Sequence, residues 1–206
     1  MPTAELTSTA RRKSRKVPEA LILECFGGRT FYRRGYREVL NGTKTLEEIR
    51  RTSGLQAEIV SYIFEIIIRS IDKKKYRVHV SEPGIHLKKG ENIAGDILVF
   101  DKLRYSANKV TTNYTNLPPM VAIEVDIAID LEKVREYHYT FDKAQTYLAF
   151  GASKVIWVLS NIQKILVFEA GREAVVYNWY ADIEVLDGVK FNVGTYLDEE
   201  GIRVAS

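Results

Sequence analysis

The chain has 206 residues, of which 46% are hydrophobic and 28% are charged. This length fits one domain with a sizeable core, and this balance is typical of a globular protein rather than a disordered or fibrous one. Charges interrupt every apolar run long before it reaches membrane-spanning length, so we expect no transmembrane helix. Because the N-terminus lacks the apolar core of a secretory signal and Cys25 has no second cysteine to pair with, we expect a cytoplasmic protein.

The basic residues are unevenly distributed. The formal net charge is +3, yet residues 1–16 alone contain five Lys or Arg residues and a single Glu, so the rest of the chain is nearly neutral. We interpret residues 1–17 as a flexible basic arm and residues 18–206 as a single domain. Such an arm is most simply a solvated tail, although its charge also suits contact with nucleic acid.

The first half of the chain predicts two helices after a less regular start. Residues 31–40 have the aromatic and β-branched character of a strand, and Asn41-Gly42 is a turn signal. Capping-box spacing at Thr45 and Ser53 marks two helix starts. The second helix, residues 55–71, carries isoleucines at helical spacing and is predicted to pack against the core.

Short strands dominate the remainder. Three are predicted at residues 76–80, 93–100 and 120–126, separated by Gly- and Pro-containing turns. A polar segment at 131–150 predicts a long helix that ends at Gly151. Further strands are predicted at residues 154–159 and 164–168, joined by a hairpin turn at 160–161, and at 174–180, 183–186 and 196–197. This order indicates an α/β fold.

Carboxylates interrupt two of the apolar strands. Asp96 and Glu124 would be costly to bury without a partner, and two such groups on neighbouring strands suit a shared divalent cation. The alternative is a buried salt bridge, for which Lys143 is the candidate partner. Asp126 lies two residues after Glu124, so it points to the same side of a regular strand.

Lys143 lies one helical turn from both Tyr139 and Tyr147, which places it on the inward face of the long helix. Helix lysines are usually exposed, but an inward lysine can supply positive charge near an attacking water or a developing phosphorane. Together with the carboxylates it favours hydrolysis of phosphodiesters.

Three segments resemble a known family: Pro118-Pro-Met-Val-Ala-Ile-Glu-Val125, Lys143-x-x-x-Tyr147-x-x-x-Gly151-Ala152, and Val155-Ile-Trp157-Val-Leu. They are similar to the bacterial Uma-type family of restriction-endonuclease-like proteins in the PD-(D/E)XK nuclease superfamily. The resemblance covers residues 38–206. It implies a restriction-endonuclease-like mixed central sheet flanked by helices, here with additional C-terminal strands.

The resemblance also implies a site and a reaction. Asp96, Glu124 and Lys143 match the family's catalytic residues, with the lysine relocated onto the helix. Asp96, Glu124 and the Val125 carbonyl would hold Mg²⁺ or Mn²⁺, and Asp126 would serve a second metal. The implied reaction is metal-dependent endonucleolytic cleavage of DNA, and a homodimer would cut both strands.

Other positions receive weaker assignments from the same resemblance. The segment from Glu38 to Gly42 resembles the family's N-terminal hairpin, which makes Glu38 an accessory candidate. Residues 55–60 resemble its first core helix, where Gln56 is the second accessory candidate and replaces the usual histidine. Gly95 replaces a proline before the aspartate, Ser160 replaces an aspartate, and the Ser-Pro that commonly follows the Glu-Val pair is absent. Residues 102–116 are a candidate DNA-contacting segment.

Two alternatives lie outside catalysis. Residues 45–60 superficially match a helix-turn-helix, with Gly54 in the turn and Arg50-Arg51 nearby, and would make the chain a DNA-binding module. The second helix argues against this, because it is rich in Ile, Phe and Glu rather than in base-reading residues. The other alternative is a nuclease fold that has lost activity and binds DNA. The three histidines lack zinc-ligand spacing, which excludes a structural zinc site.

Overall fold

The computed structural model describes residues 17–50, 53–126 and 134–204. The predicted basic arm, apart from residue 17, lies outside these residues, as do the first residues of the predicted long helix. Within the described ranges, no helix is both long enough and apolar enough to cross a bilayer.

The described residues contain twelve strands and five α-helices. The strands are β1 (Ile22–Phe26), β2 (Arg29–Tyr32), β3 (Tyr76–Val80), β4 (Gly84–Lys88), β5 (Glu91–Ala94), β6 (Ile97–Asp101), β7 (Val121–Asp126), β8 (Lys154–Leu159), β9 (Lys164–Glu169), β10 (Val175–Asn178), β11 (Ile183–Leu186) and β12 (Val189–Phe191). The helices are α1 (Tyr36–Leu40), α2 (Leu46–Arg50), α3 (Gly54–Ser70), α4 (Val134–Phe150) and α5 (Val193–Glu199).

A six-stranded sheet in the order β10-β9-β8-β7-β6-β3 forms the centre of the fold. Only β7 and β8 are parallel, and they are connected through α4, whereas the other neighbours are antiparallel. A four-stranded sheet, β2-β1-β5-β4, and the hairpin β11-β12 lie beside it. The predicted mixed sheet with flanking helices and additional C-terminal strands is therefore confirmed.

The two faces of the central sheet pack against different elements. On one face α3 inserts Ile59, Ile63 and Ile67, each fully buried, into a core that includes the odd-numbered residues of β7. The opposite face packs against α4 and the four-stranded sheet. Because side chains alternate along a strand, Glu124 lies on this second face, beneath α4.

The N-terminal predictions need correction. Residues 31–40 do not form one strand: β2 ends at Tyr32, and Tyr36–Leu40 is helical. The assignment of residues 38–42 to a hairpin is therefore wrong. The hairpin of this region is β1-β2, whose tight turn is Gly27-Gly28. Both glycines have positive φ, and both donate their N–H groups to the Glu91 carboxylate, a conformation that residues with a Cβ rarely adopt.

The predicted strand at residues 93–100 is two strands in different sheets. β5 ends at Ala94 in the four-stranded sheet and β6 begins at Ile97 in the central sheet, with Gly95 and Asp96 between them. Three strands were not predicted, β1, β4 and β12, and residues 196–197 lie in α5 rather than in a strand. Residues 160–161 lie at the β8-β9 connection as predicted.

Candidate functional site

A cavity of about 280 Å³ opens where the two sheets and α4 meet. Asp96 lies at the junction of the sheets, Glu124 lies on β7, and Lys143 projects from α4. All three side chains line the cavity, and so do Asp126 and Gln56. The remaining lining residues are Leu23, Glu24, Arg33, Arg34, Ile49, Glu82, Ala94, Gly95, Val125, Tyr139 and Trp157.

Lys143 is only 4% exposed, as its position between two tyrosines predicted. Its Nζ atom lies 2.9 Å from Glu24 Oε1 and 3.0 Å from Glu124 Oε1. Burial by itself would lower the pKa of Lys143, but the charges of Glu124 and Glu24 outweigh burial and raise that pKa well above its ordinary value. The ammonium is therefore a fixed positive charge rather than a base near neutral pH.

Glu24 was not recognised in the sequence, although it is 7% exposed and central to the site. Its two carboxylate oxygens accept hydrogen bonds from the Tyr139 hydroxyl at 2.7 Å and the Ala94 N–H at 2.9 Å, besides the contact with Lys143. A register irregularity at residues 22–24 of β1 accompanies this inward orientation. The signal was present, since Glu24 interrupts an apolar strand as Glu124 does.

Glu124 is 7% exposed and shares its Oε1 atom between Lys143 and the Tyr147 hydroxyl, which lies 3.0 Å away. Burial raises the pKa of Glu124 to about 8, and the charges of Asp96 and Glu24 add to this although Lys143 opposes it. A single ammonium thus does not suffice to keep all of the buried carboxylates ionised. The salt bridge anticipated between the strand carboxylate and Lys143 exists.

Asp96 is oriented by the backbone of the neighbouring strand. Its Oδ2 atom accepts the N–H of Val125 at 2.7 Å. Burial raises the pKa of Asp96, with contributions from the charges of Glu82 and Asp126, while the Val125 hydrogen bond and Lys143 act in the opposite direction. Glu82, which sequence reasoning also missed, lies in a turn with Ser81 where both residues have positive φ.

The two accessory candidates lie in different places. Gln56, in the first turn of α3, donates its side-chain Nε2 to the Val125 carbonyl at 2.8 Å, so it contacts one of the predicted metal ligands directly. Ser53 caps this helix by accepting the Gln56 backbone N–H. Glu38 is exposed on α1 and is not among the residues that line the cavity.

The oxygen atoms of this site are of the kind that binds a hard divalent cation. Mg²⁺ is usually held by one or two carboxylates and completes its shell with water and substrate phosphate oxygens, and Asp96, Glu124 and the Val125 carbonyl are oxygen donors of that kind. A cation bound there would favour the ionised form of Glu124. Across the described ranges no three Asp, Glu, His or Cys side chains form a ready metal cluster. A cation bound here would therefore need water or phosphate oxygens to complete its coordination shell.

The predicted DNA-contacting segment at residues 102–116 lies elsewhere. Lys109 and residues 111–116 line a wider, open cavity of about 720 Å³ together with His86 and Asn92. This second cavity shares no lining residue with the cavity that contains Asp96, Glu124 and Lys143.

Comparisons with known proteins agree with the architecture. No protein-family model matches the chain, and neither does any curated protein. Among solved structures the chain is similar to a protein from Anabaena variabilis ATCC 29413, named a putative nuclease belonging to DUF820, whose crystal structure was determined at 1.96 Å resolution. The match has a TM-score of 0.63 and 15% sequence identity, and it covers 85% of this chain and 89% of the other. At this identity the similarity shows a shared fold.

Proposed function

We propose that this protein is a metal-dependent endonuclease that hydrolyses DNA phosphodiester bonds. The observation that carries the proposal is the buried Lys143, held by Glu24 and Glu124 at the wall of a cavity that also contains Asp96. Three acids and one lysine in a cavity where the two sheets meet suit chemistry on an anionic substrate with a divalent cation. The fold shared with the DUF820 structure, and the resemblance of three segments to Uma-type proteins of the PD-(D/E)XK superfamily, support the same function.

In this proposal Asp96, Glu124 and the Val125 carbonyl would hold Mg²⁺ or Mn²⁺, and Asp126 would serve a second ion. When bound there, the ion would polarise the scissile phosphate and lower the pKa of a coordinated water. Gln56 orients the Val125 carbonyl by donating a hydrogen bond to it, which a cation bound at this carbonyl would share or replace. Lys143 stays protonated and supplies a preorganised positive charge for the phosphorane, at an electrostatic cost that Glu24 offsets.

Cleavage of supercoiled plasmid and single-stranded DNA in Mg²⁺ or Mn²⁺ tests the proposal. Asp96→Asn keeps the side-chain shape, and we expect it to lose at least roughly a hundredfold in rate, as when charge-stabilising groups are removed from active sites. Lys143→Met should also be inactive. It leaves two buried carboxylates without a cation, which destabilises a fold by about 3–5 kcal/mol, so circular dichroism must accompany it.

Asp198→Asn is the matched control, because Asp198 is exposed on α5 and does not line the cavity. It should cleave like the wild type. A wild-type protein that cleaves no form of DNA with either metal, or an Asp96→Asn variant as active as the wild type, contradicts the proposal.

A non-catalytic DNA-binding protein is the competing function. Its helix-turn-helix version requires α3 to enter the major groove, whereas α3 buries Ile59, Ile63 and Ile67 against the central sheet. Its inactive-nuclease version is distinguished by salt-dependent DNA binding without cleavage.

For the nuclease we propose a homodimer as the form that cuts both strands of a duplex. Sedimentation of the protein with and without DNA tests this proposal.

A further inference from the structure

An arginine segment, residues 29–37, places positive charge beside the cavity of the candidate site. It contains four arginines and no acidic residue, whereas residues 38–206 contain 21 Lys or Arg and 24 Asp or Glu, a net charge of −3. Arg33 and Arg34 are among the residues that line the cavity. The arginine segment therefore concentrates positive charge next to the candidate site.

The cavity itself is rich in acidic side chains. Five of its lining residues are acidic: Glu24, Glu82, Asp96, Glu124 and Asp126. The lysine of the site is already bonded to two of them. Without a bound metal, this many carboxyl groups disfavour the approach of a polyanion, because like charges at close range repel each other. A DNA strand that enters the cavity therefore needs further cations close by.

The backbone of the arginine segment is fixed against the cavity wall. The Arg33 N–H bonds to the Leu21 carbonyl at 2.9 Å, and the Arg33 carbonyl accepts the Tyr36 N–H at 3.0 Å. Gly35 has a φ of 80° and lies so close to Ile49 that a Cβ atom on it would be 2.8 Å from Ile49 Cγ2. Because Ile49 also lines the cavity, this packing holds the segment beside the site.

Two arginines of the segment, Arg34 and Arg37, are exposed. Arg37 donates its Nε–H to the Tyr36 hydroxyl at 3.1 Å, and its guanidinium carbon lies 5.7 Å from the centre of the Tyr36 ring. Tyr36 in turn stacks on Tyr32, with ring centroids 4.8 Å apart. These contacts orient the Arg37 guanidinium at the surface, which reduces the side-chain entropy that is lost when a ligand binds.

We propose that Arg34 and Arg37 bind the phosphate backbone of a DNA strand whose scissile phosphate lies in the cavity. A guanidinium stays charged at every physiological pH, and its planar set of N–H donors matches the oxygens of a phosphate. The two arginines thus supply the cations that the acidic cavity lacks. This inference deepens the proposed nuclease function and rests on it for the identity of the ligand.

DNA binding in EDTA tests the inference without hydrolysis and without a metal. The affinity of a fluorescent duplex oligonucleotide is measured at several salt concentrations for the wild type and for Arg34→Gln/Arg37→Gln. The double variant should bind roughly a hundredfold more weakly, since each lost charge-assisted hydrogen bond costs about tenfold. The slope of log affinity against log salt should become shallower by about 2, because two phosphate contacts fewer release counterions.

Two further comparisons identify the contacts as phosphate contacts. An oligonucleotide of different sequence should lose affinity by the same factor, because phosphate contacts carry no sequence information. Arg34→Lys/Arg37→Lys keeps both charges but not the planar donors, so it should keep the salt slope of the wild type and bind more tightly than the glutamine variant. Circular dichroism of each variant confirms that it is folded.

A second basic stretch gives the matched control and the competing location. Lys73 and Lys74 are adjacent exposed cations between α3 and β3, and neither lines the cavity. Lys73→Gln/Lys74→Gln removes the same net charge as the arginine double variant. It should bind DNA with nearly the affinity and salt slope of the wild type.

The outcomes separate this inference from the proposed function. Wild-type affinity and salt slope in Arg34→Gln/Arg37→Gln overturn the inference even if the protein cleaves DNA. An equal or larger loss in Lys73→Gln/Lys74→Gln also overturns it, and so does a wild type that binds no DNA. Binding that depends on Arg34 and Arg37, in a protein that never cleaves, supports the inference and contradicts the nuclease proposal.

Discussion

Lys143 contacts two carboxylates, although one would neutralise it. Glu124 belongs to the predicted metal set, whereas Glu24 comes from the other sheet and is saturated by three donors. In the proposed site, a cation at Asp96 and Glu124 would compete with Lys143 for Glu124. Glu24 would then act as a positioning residue, because it would keep the ammonium in place when Glu124 binds the metal.

Glu24→Gln tests this role. With its second anionic partner gone, Lys143 should bind Glu124 alone and compete more strongly with the metal, so the Mg²⁺ concentration for half-maximal cleavage should rise roughly tenfold. The folded state should not lose stability, because Lys143 and Glu124 still form a neutral pair. Glu65→Gln, at an exposed residue of α3, is the control. An unchanged Mg²⁺ requirement with a lower melting temperature would indicate a purely structural Glu24.

The pKa of Glu124 predicts how stability depends on pH in the metal-free protein. Burial first, and then Asp96 and Glu24, raise that pKa from 4.5 to about 8 in the folded state. A raised carboxyl pKa means that the folded state holds the proton more tightly than the unfolded chain does. The stabilisation of the folded state by this proton is therefore complete below the pKa of the carboxyl in the unfolded chain, and it is lost as pH rises through the pKa in the folded state. Stability should therefore decline by at most about 1.4 kcal/mol per pH unit in that window.

Glu124→Gln removes this titration while keeping the shape of the side chain. Its stability should exceed that of the wild type increasingly between about pH 5 and pH 8, as Lys143 retains Glu24 as its partner. Guanidinium unfolding in EDTA at several pH values measures the difference. Parallel stability curves for the two proteins would mean that Glu124 is already ionised throughout this range.

At the scale of elements, the junction between β5 and β6 decides where Asp96 lies. The sequence predicts one continuous strand at residues 93–100, because apolar residues flank Gly95 and Asp96 on both sides. In the structure, Ala94 ends one sheet and Ile97 begins another. The Asp96 carboxylate bonds to the Val125 N–H, a contact between strands that no local pattern contains.

Gly95 keeps this junction close to α4. A Cβ atom at this position would lie 2.8 Å from the Tyr147 hydroxyl oxygen and 2.7 Å from Leu98 Cδ2. Because Tyr147 is fully buried, Gly95→Ala should destabilise the fold by about 1–3 kcal/mol, the usual cost of overpacking. It should also loosen the contact of Tyr147 with Glu124.

A double-mutant cycle with Tyr147→Phe tests whether the clash with the Tyr147 hydroxyl causes the destabilisation by Gly95→Ala. Removing the hydroxyl relieves part of the clash, so Gly95→Ala should cost less in the Tyr147→Phe background than in the wild type. Urea unfolding of the four proteins gives the interaction free energy. Strictly additive effects would assign the cost of the alanine to Leu98 instead.

The packing of α3 distinguishes between its two interpretations, as a DNA-recognition helix and as a core helix. A recognition helix needs an exposed polar face, but α3 is a core helix whose isoleucine stripe packs on the central sheet. Its first turn also contributes to the site, since Gln56 bonds to the Val125 carbonyl. The helix thus supports β7 from one face while α4 places Lys143 on the other.

At the scale of the whole molecule, the site joins units that are distant in the chain. Glu24 belongs to the four-stranded sheet, Glu124 to the central sheet and Lys143 to α4, and Asp96 lies where the sheets meet. A cation bound at Asp96 and Glu124 would bind the folded state and not the unfolded chain. Metal binding should therefore stabilise the whole fold.

Thermal unfolding with increasing Mg²⁺ measures this linkage without any assay of cleavage. The melting temperature of the wild type should rise with concentration, with a stabilisation of about 2.7 kcal/mol when Mg²⁺ reaches a hundred times its dissociation constant. Asp96→Asn should abolish the rise, and Asp198→Asn should retain it. Equal responses in all three proteins would indicate non-specific ion effects and contradict the metal site.

The sequence by itself determined much of the fold and the principal candidates of the site. Short apolar runs between turn residues predicted β7 and β8, and isoleucines at helical spacing predicted α3. Asp96 and Glu124 were recognisable because a charge in an apolar strand needs a partner, and Lys143 because two tyrosines share its helical face. These are local patterns, set by the periodicity of strands and helices.

Only the tertiary structure decided which side chains meet. Glu24 lies more than a hundred residues before Lys143, and the two side chains meet only because the four-stranded sheet and α4 pack on the same face of the central sheet. The division of residues 93–100 between two sheets was also decided at this level. Such features depend on contacts between segments far apart in the chain, and periodicity along one segment carries no information about them.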